Sequence, residues 1–506
     1  MPQTSLNPHF AKQAIKTAKP FLARMSHLER GAISIVGLGY VGLSTAVCLA
    51  SRGFDVTGVD IDTGKVAALE KGVSTIHEEG LESLLRRSLR RKTLHLRSDY
   101  EGLHRSKIIF ITVGTPSRED GRVDLGFVEG ASKKIGAQLG LATGYRLVVV
   151  KSTVTPGTTE GLVRQVLERE SKKKVGPDFG LASNPEFLRE GSAIRETFHP
   201  DAIVIGGHDR RSTNTLLRMY DAFHGRREST ILTTPPNAEM MKYAINAGRA
   251  TQVSFVNTVA NYCTRVPGCD YGEVRKGLST VARMDERYLG AGLGFGGSCL
   301  PKDSRALAFA LKSSGVEHEL VWNALRVNSG QVGEAIRLAE KLCGSLEGKR
   351  VALLGLAFKP ETDDIREAVP IALAKSLVQK GAEVTAYDPA AMEGARAVLG
   401  RQVTFAKTAR DALRGSECAF LATAWDAFNR LRPSDFKPLM ASPAVVDGRR
   451  LYDPKEFAKE GVRFAAIGTG PHGDGSPTLR PPKKRREWHY IVEDGKVHQD
   501  GPVEPA

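Results

Sequence analysis

Apolar residues fall in short runs bounded by polar turns, alternating with longer stretches in which they recur every three or four positions. The first run, Ala32 to Val36, ends in Gly37-Leu38-Gly39-Tyr40-Val41-Gly42 and passes into a helical pattern that lasts through Ala50. A second run, Asp55 to Val59, ends at Asp60. Further strand-like runs are expected at Lys107–Val113, Leu147–Val150, Gly180–Ala182, Ala202–Ile205 and Thr230–Leu232, most of them separated by helical stretches. Short buried strands alternating with helices predict a doubly wound parallel sheet, because each helix covers a face of the strands it joins.

From Pro235 the alternation stops. Ala238 to Arg265 reads as one long helix without proline, and Asp303 to Val327 as a second. Near Lys349 the rhythm returns. Arg350–Leu354 ends in Gly355-Leu356-Ala357-Phe358-Lys359-Pro360, Glu383–Tyr387 ends at Asp388, and strands are expected at Cys418–Ala422 and Ala444–Val446. The pattern predicts an α/β chain of two Rossmann-like, doubly wound lobes joined by an all-helical region. The expected division is an extension over 1–30, a first lobe over 31–235, the helical region over 236–345, a second lobe over 346–470 and a tail over 471–506. Within the tail, Trp488, Tyr490 and Val492 alternate, and Asp494-Gly495 is hairpin chemistry.

At 506 residues the chain is too long for one core. Its six cysteines (Cys48, Cys263, Cys269, Cys299, Cys343 and Cys418) are scattered and form no Cys-x-x-Cys pair. Neither a disulfide framework nor a zinc site follows, no metal is expected, and a reducing cytoplasm is the expected compartment. No apolar run approaches the roughly 18 residues of a membrane span. The first 30 residues hold five basic residues against one acid but lack the apolar core of a secretory signal.

The net charge of +15 raises nucleic acid as a partner. The tail holds six residues of each sign, however, and the charge between the two ends is dispersed rather than arranged in a stripe, which suits small anionic ligands. The run Lys483-Lys484-Arg485-Arg486 resembles a nuclear signal, though short basic runs are common. Nucleic acid is not the expected partner.

Strand, glycine turn, helix, strand and acid together form the dinucleotide fingerprint. Gly37, Gly39 and Gly42 let backbone N–H groups and a helix N-terminus face a pyrophosphate, and Asp60 meets the ribose hydroxyls. An acid there repels a 2′-phosphate, so the expected cofactor is NAD rather than NADP; Lys65 is placed to offset charge near the adenosine end. Gly114-Thr115-Pro116 and Lys151-Ser152-Thr153 close two runs, where such sheets bind ligands, unless they are simple strand-ending turns.

Three other stretches carry chemistry. In Gly294-Phe-Gly-Gly-Ser-Cys299-Leu-Pro-Lys302-Asp303 a thiol follows a flexible turn, with a lysine that favours the thiolate and an acid that can orient water; a buried structural cysteine is the bland alternative. Glu186 and Glu190 would share the face of a helix begun near Pro185, as a base for water or as a solvated surface. Lys242 and Asn246, one turn apart on the long helix, could stabilise an oxyanion or simply be exposed.

These motifs, with Glu239–Asn246 and Phe358-Lys359-Pro360 followed by Thr362-Asp363-Asp364-Ile365-Arg366-Glu367, resemble the UDP-glucose/GDP-mannose dehydrogenase family over about residues 31–467. The resemblance implies an NAD lobe, a helical dimerisation core and a sugar-nucleotide lobe, in a homodimer or higher homo-oligomer. It implies oxidation of a nucleotide sugar's C6 alcohol to a carboxylate, with two NAD. Cys299 then matches the nucleophile, Lys242 and Asn246 the oxyanion stabilisers, Glu186 the group working through water, and Asp303 its partner, with Thr153 nearby. By the same resemblance Tyr40, Val41, Thr115, Thr153, Glu190, Lys302 and Arg366 join the glycine turn, Asp60 and Lys65 at the cofactor. Phe187, Leu188, Glu190, Arg283, Tyr288, Gly296, Lys359 and Arg449 join Glu186, Lys242 and Asn246 at the substrate.

Gly114–Leu125 and Val316–His318 look like GDP-mannose dehydrogenases, whereas Thr423–Phe428 and Asp447–Arg450 look more like UDP-glucose dehydrogenases. Because the latter segments lie in the sugar-nucleotide lobe, UDP-glucose is the expected substrate, ahead of GDP-mannose and UDP-N-acetylhexosamines. In Thr423-Ala424-Trp425 the residue before Trp is alanine, where the family usually has Glu. A non-catalytic NAD or nucleotide-sugar sensor would lack the cysteine, lysine or acid, and Cys299, Lys242, Glu186 and Asp303 are all present.

Overall fold

A computed structural model describes residues 32–225 and 228–470, together with the backbone of two strands at 490–493 and 496–499. The chain divides into two compact units, the first holding 32–117 and 123–244 and the second 118–122 and the residues from 245 onward.

In the first unit the eight strands are β1 (Ile33–Val36), β2 (Val56–Val59), β3 (Leu94–Arg97), β4 (Ile108–Ile111), β5 (Leu147–Val150), β6 (Gly180–Ser183), β7 (Ile203–Gly207) and β8 (Thr230–Thr233). They form one sheet in the order β3-β2-β1-β4-β5-β6-β7-β8. Side chains alternate across it, as the strand period requires. Ile33, Ile35, Ile108, Phe110, Leu147 and Val149 pack into the core on one face, and Val36, Ile109, Ile111, Val148 and Val150 into the core on the other. Strand ends are level: Val36 pairs with Val59 and Ile111, and Val150 with Ile111 and Ser183. Gly37, Asp60, Thr112, Lys151 and Asn184 therefore leave one edge of the sheet together.

The expected all-parallel sheet needs one correction, because β7 runs antiparallel to β6, with β8 parallel to β7. The segment between β6 and β7 carries only the short helix Ala193–Phe198 and starts and ends at the same edge, so no crossover reverses it. β3 was not foreseen; its Leu-His-Leu-Arg alternation is brief and half exposed.

The helix Pro235–Cys263 begins three residues before the expected start, with proline in its first turn, where the missing N–H costs nothing. Asp303–Val327 is not one helix. Leu300–Ser313 and Glu319–Cys343 are separate, and Gly315 between them adopts φ +69°. A left-handed glycine ends a helix as firmly as a proline does, and without proline the sequence pattern hides the break.

The second unit carries a six-stranded parallel sheet in the order β11-β10-β9-β12-β13-β14. Its strands are β9 (Arg350–Leu354), β10 (Glu383–Tyr387), β11 (Val403–Phe405), β12 (Cys418–Leu421), β13 (Ala444–Asp447) and β14 (Arg463–Ala466), of which β11 and β14 were not foreseen. One core joins this sheet to the helical segment through Val256, Ala260, Leu289, Leu293, Ala335 and Ala339. In the tail Tyr490–Glu493 pairs antiparallel with Lys496–Gln499, as hairpin chemistry predicts. The basic run and Trp488 lie outside the described residues.

Candidate active site

The glycine turn has the shape a pyrophosphate needs. Gly37 takes φ +99°, and a methyl group there would lie 2.8 Å from the backbone of Val113. One on Gly42 would collide with the carbonyl of Gly37. Gly39, by contrast, faces open space and caps the helix Tyr40–Ser51 without a side-chain bond, which leaves its first N–H groups for an anion.

Asp60 sits at the end of β2, 8% exposed. Its carboxylate accepts Leu38 N–H (2.8 Å), Asp62 N–H (3.1 Å) and the Lys65 ammonium (3.0 Å). Burial opposes its charge, but these donors outweigh burial and hold the carboxyl below its ordinary value. The turn and acid together fit a dinucleotide. The Tyr40 hydroxyl donates to the His77 carbonyl (2.6 Å) and to Glu78 (2.9 Å), and Glu78 also accepts Gly191 N–H (2.8 Å). Thr115 is buried and Thr153 half-buried.

Residues 184–189 leave β6 without regular secondary structure, and no helix begins at Pro185. Glu186 and Glu190 therefore share no helix face, and Glu186 is not a solvated surface residue. At 8% exposure it pairs with Lys242, which is 3% exposed. The Lys242 ammonium donates to the Glu186 carbonyl (2.6 Å) and carboxylate (2.9 Å), and lies 5.3 Å from the Phe187 ring centre. Leu188 N–H closes the other carboxylate oxygen (2.5 Å). Burial works against the Glu186 charge, yet Lys242, the Leu188 N–H and the field of Lys151 together depress its titration. Glu239, not foreseen as a site residue, accepts Gly157 N–H (2.6 Å) and Thr159 N–H (2.9 Å) and anchors the long helix beside this segment.

In the second unit Cys299 is exposed and caps the N-terminus of Leu300–Ser313, where the helix dipole favours negative charge. A buried structural cysteine is thereby excluded. One turn on, Asp303 is 1% exposed. It accepts the Asn246 amide (2.6 Å) and the Lys302 ammonium (2.5 Å), so Asn246 is a buried donor rather than a surface residue.

The glycine loop ahead of the cysteine is clamped from three sides. Asn328 donates to and accepts from Phe295 (both 2.8 Å), Gln331 donates to the Gly292 carbonyl (2.6 Å), and Gly297 N–H reaches the Arg366 carbonyl (3.0 Å). A side chain on Gly296 would collide with the Glu367 carbonyl. These clamps, Asn328 above all, left no local signal in the sequence. Behind the loop lies a cavity of about 830 Å³, lined by Phe295, Pro301, Trp322, Asn328 and Glu367 among others and by none of the expected site residues.

Arg449 reaches back to the same loop, donating to the Gly294 carbonyl (2.9 Å) and the Ala422 carbonyl (2.7 Å). Its Nη2 is buried without a partner among the described residues. Burial pushes this guanidinium down to about 10. Lys359 lies 5.6 Å from the Phe358 ring centre, and Tyr288 lies under the Arg249 guanidinium (4.9 Å). Arg366 is exposed and held by its neighbour Asp364 (2.6 Å), while Arg283 is exposed with φ +52°.

Comparison with known proteins accounts for both units. The family models for UDP-glucose/GDP-mannose dehydrogenases match in all three parts: the NAD binding domain over residues 31–224, the central domain over 236–330 and the UDP binding domain over 352–454. The chain is 40% identical to the Bacillus subtilis UDP-glucose 6-dehydrogenase YwqF, over 86% of this chain and 97% of that one. A UDP-glucose dehydrogenase structure from Pyrobaculum islandicum superposes with TM-score 0.80 at 40% identity, covering 87% of this chain and 98% of its own. A UDP-D-ManNAc dehydrogenase from Pyrococcus horikoshii superposes with TM-score 0.76 at 27% identity, covering 86% and 99%. The chain thus belongs to the UDP-glucose/GDP-mannose dehydrogenase family, as an NAD-dependent dehydrogenase of nucleotide sugars.

Proposed function

We propose that the protein oxidises the C6 alcohol of UDP-glucose to UDP-glucuronate in two steps. The observation that carries this reading is the exposed Cys299 thiol at a helix N-terminus, one turn before a buried Asp303 tied to Asn246 and Lys302. NAD supplies the chemistry of hydride acceptance, once in each step. Cys299 adds through sulfur to the C6 aldehyde, and the resulting thiohemiacetal is oxidised to a thioester. Lys242 and Asn246 stabilise the oxyanion at that carbon. Glu186 takes a proton from water, whose oxygen attacks the thioester carbonyl; the C–S bond breaks and Cys299 leaves as thiolate. Asp303 and Thr153 orient that water.

UDP-glucose is favoured by the relatives at 40% identity, which are UDP-glucose dehydrogenases, and by the Asp447–Arg450 segment. Arg449, with an unused buried donor, and Lys359 contact the nucleotide end. A homodimer is in keeping with Phe255 and Tyr262, one heptad apart on the long helix and 50% and 62% exposed. The test is NADH formation from a panel of nucleotide sugars. Two NADH per UDP-glucose with UDP-glucuronate as product is the expected result. Faster turnover of GDP-mannose or a UDP-N-acetylhexosamine overturns the substrate.

A further inference from the structure

Lys151 is a buried cation whose hydrogen-bond partners are neutral. It leaves the end of β5 at 7% exposure. Its ammonium donates to Asn184 Oδ1 (3.0 Å) and to the Tyr220 oxygen (3.4 Å). The Tyr220 hydroxyl donates to the same Asn184 oxygen (2.5 Å), and the Asn184 amide donates to the Val204 carbonyl (2.7 Å). Among the described residues no carboxylate forms an ion pair with Lys151. A charge buried on neutral partners is costly unless its field falls on something.

Glu186 lies two residues beyond Asn184, the side chain that holds the ammonium, and the Lys151 charge helps keep its carboxyl below the ordinary value. The charged groups with the largest effect on Glu186 are Lys242, from the long helix, and then Lys151, with the Tyr220 phenol bonded to Lys151. Lys242 bonds twice to Glu186 as described, yet the proposed reaction also asks Lys242 to stabilise an oxyanion. One ammonium cannot give its full field to both.

We infer that Lys151 is a positioning residue that supplies the second positive charge at Glu186, so that this carboxylate stays ionised while Lys242 serves the oxyanion. The inference rests on the roles given to Glu186 and Lys242 under the proposed function. In the step concerned, water's proton passes to the Glu186 carboxylate, water's oxygen bonds to the thioester carbon, and sulfur departs with the electron pair of the C–S bond. A protonated Glu186 cannot take that proton. The Asn184–Tyr220 pair fixes the ammonium through neutral acceptors, which hold it without cancelling its charge.

The experiment is the pH profile of kcat for uronate formation by the full-length enzyme, with Lys151→Met against wild type. Removing the cation makes Glu186 easier to protonate, so the acidic limb should move up by about one pH unit, with activity recovered at higher pH. Lys151→Arg, which keeps the charge, should leave the limb in place. A folded Lys151→Met enzyme with lowered thermal stability and an unmoved limb would show a structural role only and overturn the inference. Should Lys151→Met fail to fold, Asn184→Asp sets a carboxylate against the ammonium and should move the limb the same way; an unmoved limb again overturns it. Glu186→Gln separates the two levels. Wild-type uronate formation by that variant removes the role of Glu186, and the inference with it. Its inactivity beside an unmoved limb in Lys151→Met defeats the Lys151 inference alone.

Discussion

Asn246 donates its side-chain amide to Asp303 at 2.6 Å, joining a residue of the long helix to one that follows the cysteine by a single turn. Both are almost wholly buried, so the bond forms out of water, where an unmet partner is costly. Asn246→Ala should lower stability by about 1–3 kcal/mol and, by removing an oxyanion donor, reduce kcat about 100-fold or more. Thermal unfolding and steady-state kinetics check the two effects. A stability loss with unchanged kcat would confine Asn246 to a structural role.

Cys299→Ala should abolish uronate formation and leave NAD affinity nearly intact, because the cysteine and the glycine turn belong to different units. Cys299→Ser should give slow turnover at most, or an ester adduct visible by mass spectrometry, since an alkoxide needs far more activation than a thiolate. Release of two NADH per sugar by the alanine variant would rule out covalent catalysis.

Asp60 should set the preference for NAD over NADP. Its carboxyl is held below the ordinary value by Leu38, Asp62 and Lys65 in spite of burial. The sign follows from that direction. The ionised carboxylate stabilises the fold above its unfolded value of about 3.9, and this contribution is lost as pH falls through the lower folded value. Discrimination between the cofactors should therefore be flat from about pH 5 upward. Asp60→Asn should narrow the ratio of kcat/KM values. A wild-type preference for NADP would overturn the assignment.

Arg449 bridges the Gly294 and Ala422 carbonyls and keeps a buried donor. Arg449→Ala should raise KM for UDP-glucose about tenfold or more, the worth of a lost charge-assisted bond, with KM for NAD little changed. Arg449→Lys should rescue poorly, since a point charge cannot reproduce the forked geometry. An unchanged KM for the sugar nucleotide in Arg449→Ala would leave the residue a loop clamp and nothing more.

Asn328→Ala tests whether the clamp on the cysteine loop matters for chemistry. The asparagine meets both the N–H and the carbonyl of Phe295, four residues before Cys299. Its loss should lower kcat about 10-fold or more through misplacement of the thiol, and leave NAD affinity unchanged. A stopped-flow measurement of the first and second NADH releases would show whether both steps slow.

What the sequence determined by itself was local. The glycine turn, Asp60 and the cysteine loop are legible because backbone approach, left-handed φ and helix capping constrain the identity of the residue that performs them. Strand and helix alternation likewise reports which faces meet a core, and so revealed two α/β sheets around a helical stretch. Burial of single polar residues was beyond its reach. By spacing alone Lys242, Asn246 and Glu186 read better as surface residues than as functional ones, and only packing brought Lys242 onto Glu186 from 56 positions away.

Asp60 and Asp388 show the same division. Each ends the second strand of its sheet, yet Asp388 accepts N–H bonds from Leu356, Ala357, Ala390, Ala391 and Trp425, so its oxygens are committed to the fold. Asp60 keeps acceptor capacity beyond its three donors. Sequence position placed both acids at strand ends. Which of them is spent on the fold was decided in three dimensions, because a hydrogen bond depends on which donors the folded chain brings within about 3 Å, whatever their separation along it.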